Sequence, residues 1–286
     1  MPARSSPNSE AIDEKNQECL AGHSFFSYIC GMKCFIHPNM ERFRSFVESL
    51  PSRFNDPEAE TLFAGRNTVR AFTIEGERVV VKRFRTPSGI NRLLYGHLRP
   101  SKARRAYENG FALEQHAIHT PAPIAWCEEY RGGFLHHSYL VTGYSEYHDL
   151  KLLTQEYPTP QSIDALRAFA AFVVELHEKG IAHGDFNNSN TQWLKDEEGN
   201  YHFELIDINR MSFRGRPLTR KESLHNLRRL TCPLAPYAYI MACYAEHRGW
   251  NSRYTQLDAA EGLLRFIRRR DRRKALKRFF FGQKKK

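Results

Sequence analysis

The chain has little that would tie it to a membrane span, a secretory route or a disulfide scaffold. No run approaches the roughly 20 apolar residues that a spanning helix needs. The six cysteines are irregularly spaced over 286 residues, which does not match a disulfide framework and predicts reduced, cytosolic thiols. Cys30, Cys34 and His37 meet metal-ligand spacing only loosely and no second ligand pair follows, so a structural zinc site is not expected. The apolar stretch 25–36 is short, follows acidic residues and lacks a basic leader, which argues against a secretory signal. Together these absences predict a cytoplasmic protein.

What is present in excess is positive charge, and it is concentrated. The formal net charge is +11, and residues 265–286 hold twelve Lys/Arg against one acid, Asp271. That segment alone accounts for the whole imbalance, so basicity here is a local device. The apolar share of 41% is ordinary for a globular protein long enough to bury a full core.

Periodicity divides the chain. Residues 1–22 are polar and without a sustained period, and the leader 1–40 is expected to be poorly ordered. Residues 69–74 and 78–84 read as strands around the turn Glu75-Gly76-Glu77. Ser101 is a candidate N-cap for a helix carrying Ala103, Ala106, Tyr107 and Phe111. Strand-like runs follow at 124–128 and 138–144, after the breaker Thr120-Pro121-Ala122-Pro123. Ile163, Leu166, Phe169, Ala170, Val173 and Leu176 then keep a helical period, with Ser162 as expected cap and Lys179-Gly180 as stop. Strands at 192–194 and 201–206 and helices at 220–230, 236–247 and 257–278 complete the pattern. The expected organisation is α+β: a β-rich N-lobe over 41–148, an α-rich C-lobe over 149–264, and a basic tail over 265–286.

The junction of helix and hairpin carries the chemistry. His183-Gly184-Asp185-Phe186-Asn187-Asn188-Ser189-Asn190 sets an acid and, five residues later, an amide; a second acid, Asp207, closes the following strand. Phosphoryl transfer from ATP needs that set: one carboxylate to orient the attacking hydroxyl, and an amide and a second carboxylate to hold Mg²⁺ on the phosphates. Asp185 is the candidate for the first role, with His183 bracing the loop and Asn187 standing where protein kinases place a lysine. Asn190 and Asp207 offer hard oxygens to the metal. Upstream, Lys82 ends the strand Val79-Val80-Val81 and can reach phosphate oxygens if a carboxylate fixes its amine; Glu108 is the first candidate and Glu114 the second. Gly65, Asn67 and Val69 occupy the place of a phosphate loop over the adenine, with one glycine where G-x-G-x-x-G would have three. There Asn67, and after Asp207 the residue Asn209, are the side chains best able to replace a glycine at positive φ. No A-P-E follows Asp207, and a helix start already appears at 219–224. That leaves no peptide platform and favours a small-molecule, sugar or lipid acceptor.

With these residues in place, the chain resembles the lipopolysaccharide kinase family of Kdo and core heptose kinases, particularly its Bacteroidetes-type members. The resemblance runs from about residue 62 to 250. It rests on Val81-Lys82-Arg83-Phe84, Ser101-Lys102-Ala103, Thr120-Pro121-Ala122-Pro123, Leu176-His177-Glu178-Lys179-Gly180, His183-Gly184-Asp185 and Leu205-Ile206-Asp207-Ile208-Asn209-Arg210. It implies a two-lobed protein-kinase-like fold, ATP and Mg²⁺ as cofactors, and roles for Lys82, Glu108, Asp185, Asn190 and Asp207. The implied reaction phosphorylates a sugar hydroxyl on a lipid-linked acceptor in the lipid A–core region. The alternatives are a kinase of a protein or other small molecule, and a non-catalytic pseudokinase. The cations and the triplet Phe279-Phe280-Phe281 of the tail suit an anionic inner-membrane surface; nucleic acid is not expected as a partner.

Overall fold

The computed structural model describes residues 27–29, 31–87 and 99–281. The leader 1–22, Cys30 and residues 282–286 of the basic tail lie outside the described residues. Two short strands, β1 (Ser27–Ile29) and β2 (Met32–Ile36), open the chain. A 3-10 turn (Pro38–Phe43) and two short helices, α1 (Arg44–Glu48) and α2 (Leu50–Arg53), follow. Then come β3 (Glu60–Ala64), β4 (Thr68–Ile74), β5 (Glu77–Phe84), the helix α3 (Lys102–Gln115), β6 (Pro123–Arg131) and β7 (Phe134–Gly143). Among the described residues the strands form one antiparallel sheet in the order β1-β2-β6-β7-β5-β4-β3.

Strand alternation explains how this sheet is held. Val79, Val81, Ala125, Cys127, Tyr139 and Val141 bury one face against Phe43, Phe46, Leu50 and Phe54 of the segment after β2. Phe84, Trp126 and Leu140 point the other way, into a second core shared with α3 and the helices of the C-lobe. Successive side chains on a strand face opposite sides, so each of β5, β6 and β7 contributes to both cores. The period of two is what makes the sheet a partition.

Residues 31–40 therefore do not belong to a poorly ordered leader. Met32, Cys34 and Ile36 are buried in the first core, and β2 pairs with β6 at Cys34–Cys127 and Phe35–Trp126. The N-lobe begins with these strands. The pairing partner stands some ninety residues away, so no local period announces it.

The tight turn between β4 and β5 sits where expected, with Glu75 at φ 51° and Gly76 at φ 83°. Two residues at positive φ match the twist of a two-residue hairpin. Ser101 caps α3 by accepting from the Arg104 amide at 3.1 Å.

The C-lobe starts with the two-residue strand β8 (His148–Asp149), α4 (Leu150–Glu156) and the long α5 (Pro160–Glu178). The cap of α5 is Thr159, which accepts from the Ser162 amide at 3.3 Å, so the expected cap Ser162 lies inside the first turn. Pro160 explains the earlier start, because its fixed φ suits the first helical position. β9 (Ile181–His183), β10 (Thr191–Lys195), β11 (Tyr201–Leu205) and β12 (Met211–Phe213) carry the catalytic-loop region. α6 (Arg220–Leu227), α7 (Leu234–His247) and α8 (Ser252–Phe281) complete the lobe. α6 opens on a reciprocal cap between Thr219 and Glu222. α8 is continuous through the boundary expected at residue 265; Ala259 and Leu263 are buried and Ile267 packs against the core. Among the described residues no helix is long and apolar enough to cross a membrane.

One buried network ties these helices to the site. The Asn226 amide on α6 donates to the His183 carbonyl at 2.7 Å. Its Oδ1 then accepts from His177 Nε2 at 3.1 Å, and His177 Nδ1 accepts from the Tyr244 hydroxyl at 2.8 Å. Burial pushes the His177 imidazole down to about 4, with the Asn226 bond working against it. Between about pH 6.5 and 4 the unfolded chain therefore takes up a proton that the folded His177 refuses. Stability should fall with pH across that window, by about 3 kcal/mol for this residue at the lower end. His183 and His137 are also lowered and add in the same direction. Urea unfolding at pH 7 and pH 4.5 should show a distinctly smaller loss in His177→Gln than in the unsubstituted chain; equal losses would remove His177 as a source.

Candidate active site

The site forms where α5 ends and β9 begins. Gly180 stops α5 at φ +74°, and three residues later His183 is 1% exposed. Its Nδ1 accepts from the Asp185 amide at 3.0 Å, so Nε2 carries the proton and donates to the Ile206 carbonyl at 3.0 Å. Burial pushes this imidazole below its ordinary value, against the opposing pull of the Ile206 carbonyl and the two aspartates. A single neutral ring thus links the Asp185 loop to the strand end that presents Asp207.

Gly184, between them, leaves no room for a side chain. A Cβ there would lie 2.3 Å from the Arg210 carbonyl oxygen, to which the Gly184 amide donates at 2.6 Å. The segment after Asp207 is therefore folded directly onto the loop, and β12 pairs with β9. The Asp185 carbonyl accepts from Asn190 Nδ2 at 2.9 Å and Asn187 Nδ2 at 3.2 Å. Its carboxylate Oδ1 accepts from Arg229 Nη1 at 3.0 Å. Amide, carbonyl and carboxylate of Asp185 are each fixed by a different partner.

Asp207 meets Lys82 across the cleft between the lobes, with Nζ–Oδ1 at 2.7 Å and both side chains largely covered. Asn209 Nδ2 donates to the same oxygen at 2.7 Å. Burial alone would push the Asp207 carboxyl up, but the Lys82 charge and the bonds from Lys82 and Asn209 outweigh it and hold the group below the usual range. It is a carboxylate at neutral pH. Lys82, Asn190 and Asp207 line one cavity of about 720 Å³, together with Val69, Asn67 and the turn residue Ser145.

Three expectations are corrected. Glu108 does not fix Lys82: it accepts from Arg104 Nε at 2.7 Å, one helical turn back. α3 turns other residues toward the site, with Asn109 donating to the Ile208 carbonyl at 2.6 Å and Gly110 close to Ile208 and Pro123. Nor is Glu114 recorded in a bond or ion pair with Lys82; its carboxyl is raised by burial. Third, neither Asn67 nor Asn209 takes positive φ. The left-handed residue is Asp207 itself, at φ 55°. Asn67 Oδ1 instead accepts from the Arg85 amide at 3.2 Å, closing the loop by a side chain, and the Phe63 ring fills the space beside Gly65.

The structure also adds residues that spacing does not reveal. Arg229 follows the end of α6 with no motif to mark it. Lys102 is lowered by burial first, then by Arg66 and Arg210, with Asp207 pulling the other way. The triplet Ser101-Lys102-Ala103 was the available signal for Lys102. Thr120 donates to the Leu205 carbonyl at 2.8 Å, which joins the breaker before β6 to the strand leading to Asp207.

Comparison with known proteins shows the family and the fold. The chain matches the family described as "Lipopolysaccharide kinase (Kdo/WaaP) family" over residues 85–261. No curated protein sequence matches it. Among solved structures, "WaaP in complex with acyl carrier protein" superimposes with a TM-score of 0.55 at 17% identity, over 84% of this chain and 98% of that one. That likeness is one of fold. A MAP kinase from Leishmania major gives a TM-score of 0.39 at 17% identity, over 76% of this chain and 65% of that one.

The positive φ at Asp207 has a measurable consequence. Left-handed backbone costs an ordinary L-residue roughly 1–2 kcal/mol, and asparagine tolerates it better. Asp207→Asn and Asp207→Ala both lose the charge that faces Lys82, yet Asp207→Ala should melt at a lower temperature, by the equivalent of roughly 1 kcal/mol. Identical melting temperatures would mean that the backbone there is not held left-handed.

Proposed function

The chain belongs to the lipopolysaccharide kinase (Kdo/WaaP) family, and from that premise we propose that it transfers the γ-phosphate of Mg-ATP to a sugar hydroxyl of a lipid A–core acceptor. The observation that carries the reading is the placement of Lys82, Asn190 and Asp207 around one cavity, with Asn190 bonded to the backbone of Asp185. Lys82 is positioned to hold phosphate oxygens. Val69 lies where it can cover the base.

The residues fit a hard divalent cation. Lys82 and Asn209 both occupy Oδ1 of Asp207, which keeps Oδ2 out of those two bonds. The Asn190 NH₂ is committed to the Asp185 carbonyl, so its Oδ1 is the atom left for a ligand. Asp207 and Asn190 would hold Mg²⁺, which supplies charge neutralisation on the transferring phosphates.

Asp185 orients the acceptor hydroxyl and takes its proton late in the transfer. Its backbone is pinned on both sides, so only the carboxylate can respond to a substrate. A peptide acceptor has little to dock on, since only β12 and a turn separate Asp207 from α6. We place the protein at the cytoplasmic face of the inner membrane. The basic tail 265–286 would be its contact, with each cation near an anionic surface worth about 1 kcal/mol.

The direct test incubates the protein and Mg²⁺ with labelled ATP against Kdo-lipid A, core oligosaccharide and a generic protein. Label should appear on the sugar, and Asp185→Asn should reduce its rate by about 10²-fold or more while Mg-ATP still binds. Transfer to the protein substrate alone would sink the sugar assignment. For the membrane contact, deleting 276–286 leaves the packed part of α8 in place and should abolish co-sedimentation with anionic vesicles at low salt; undiminished binding would refute it.

A further inference from the structure

A second cavity, of about 610 Å³, opens between the end of α6 and α8. Six cations line it: Arg228 and Arg229 after α6, and Arg269, Arg270, Arg273 and Lys274 on α8. The α8 residues recur at the spacing of one helical face. No acid is among the lining residues. Phe266 lies between the two sides, with the Arg228 and Arg229 guanidiniums 5.6 and 5.5 Å from its ring centre. The ring holds both side chains in place while leaving their edges to the cavity.

Arg269, Arg273 and Lys274 are exposed, but Arg228 departs from a solvated basic helix face. Arg228 Nε is buried without a hydrogen-bond partner, although a buried polar atom is normally satisfied. Arg228 also lies below the usual arginine range, through burial first and then the charges of Arg229 and Arg269. Arg229 is paired with Asp185 and Arg270 with Asp271, but Arg228, half-buried beside Arg229 and Arg269, hydrogen-bonds only the His225 ring among the described residues, and an anion seated there would relieve the crowding. Guanidinium forks match the oxygens of phosphate and carboxylate.

Arg229 decides what that anion is for. The same guanidinium that lines the cavity donates to Asp185 Oδ1. We propose that this cleft binds a phosphate or carboxylate already present on the acceptor, and that Arg229 sets the distance between that group and Asp185. Two consequences follow for a reading that rests on the kinase assignment above. The acceptor is an anionic sugar before it is phosphorylated, so the reaction acts on the product of an earlier step that installs a charged group. The hydroxyl modified is the one that reaches Asp185 when the anion is seated.

The experiment uses the full chain carrying Arg269→Gln and Arg273→Gln together. Neither residue belongs to the nucleotide cleft. Inorganic pyrophosphate is the binding probe, read by thermal shift, and Lys82→Ala reports any binding in the nucleotide cleft. Pyrophosphate should raise the melting temperature of Lys82→Ala, but not of Lys82→Ala that also carries the two glutamine substitutions. In neutral detergent micelles, where no anionic surface is present, the double variant should show a KM for a phosphorylated acceptor raised at least tenfold, with KM for ATP unchanged. For the same acceptor treated with phosphatase, the two proteins should differ little if phosphate is the group bound. If carboxylate is, the difference should persist with the treated acceptor and disappear once the carboxyl is reduced. The proposal is overturned if pyrophosphate protects the triple variant as well, or if the KM difference appears only with anionic vesicles. If no acceptor is phosphorylated by any form, the kinase reading fails, and the pyrophosphate arm still decides whether the cleft binds anions.

Discussion

The buried imidazole of His183 is the point through which the site is assembled. It accepts from the amide of Asp185 and donates to the carbonyl of Ile206, so two aspartates some twenty residues apart are set relative to one small rigid ring. The arrangement works only for a neutral imidazole with its proton on Nε2. Burial secures the neutral state, and the Asp185 amide selects the tautomer. The carbonyl of the same residue is held by Asn226, and through it by His177 and Tyr244. Positions of catalytic groups are thereby coupled to the packing of α5, α6 and α7. A loosened helix core would be felt at Asp185 before any side chain of the site was altered.

The lobes meet through charge. Lys82 reaches from the sheet to Asp207, and a helix that spacing alone would pair with Lys82 through Glu108 instead grips the backbone of Ile208 through Asn109. α3 therefore supports the Asp207 side of the site by holding its main chain. Because the chain after Asp207 folds straight onto Gly184 and β9, the protein has no long segment there whose rearrangement could switch it. The fold is similar to that of WaaP, and the chain belongs to the lipopolysaccharide kinase (Kdo/WaaP) family.

Much of this was legible in the sequence because the signals are local. The hairpin at Glu75-Gly76, the Ser101 cap, the helical period of α5 and the spacing of Asp185, Asn190 and Asp207 each lie within one element or its turn. What escaped was non-local or set by tertiary context. β2 finds β6 across some ninety residues, and its short alternation resembles an apolar leader until that partner is known. The carboxylate facing Lys82 comes from 125 positions downstream. Positive φ fell on Asp207, a residue type that visits the left-handed region more readily than most, and not on either asparagine. Arg229 is one of 43 basic residues, and only the fold shows which acid it meets.

The unbroken course of α8 has one more implication. An α-helix rises 1.5 Å per residue, so the thirty residues from Ser252 to Phe281 form a rod about 45 Å long. Its first turns are anchored in the core, and Phe266, beside the cleft, stands about 20 Å along the axis from Phe279. On the proposed orientation, that rod is a ruler: it fixes how far above the lipid surface the transferred phosphate is delivered. Which sugar of a glycolipid can be modified then becomes a matter of height, and lengthening the helix by a turn would move the reach by about 5 Å.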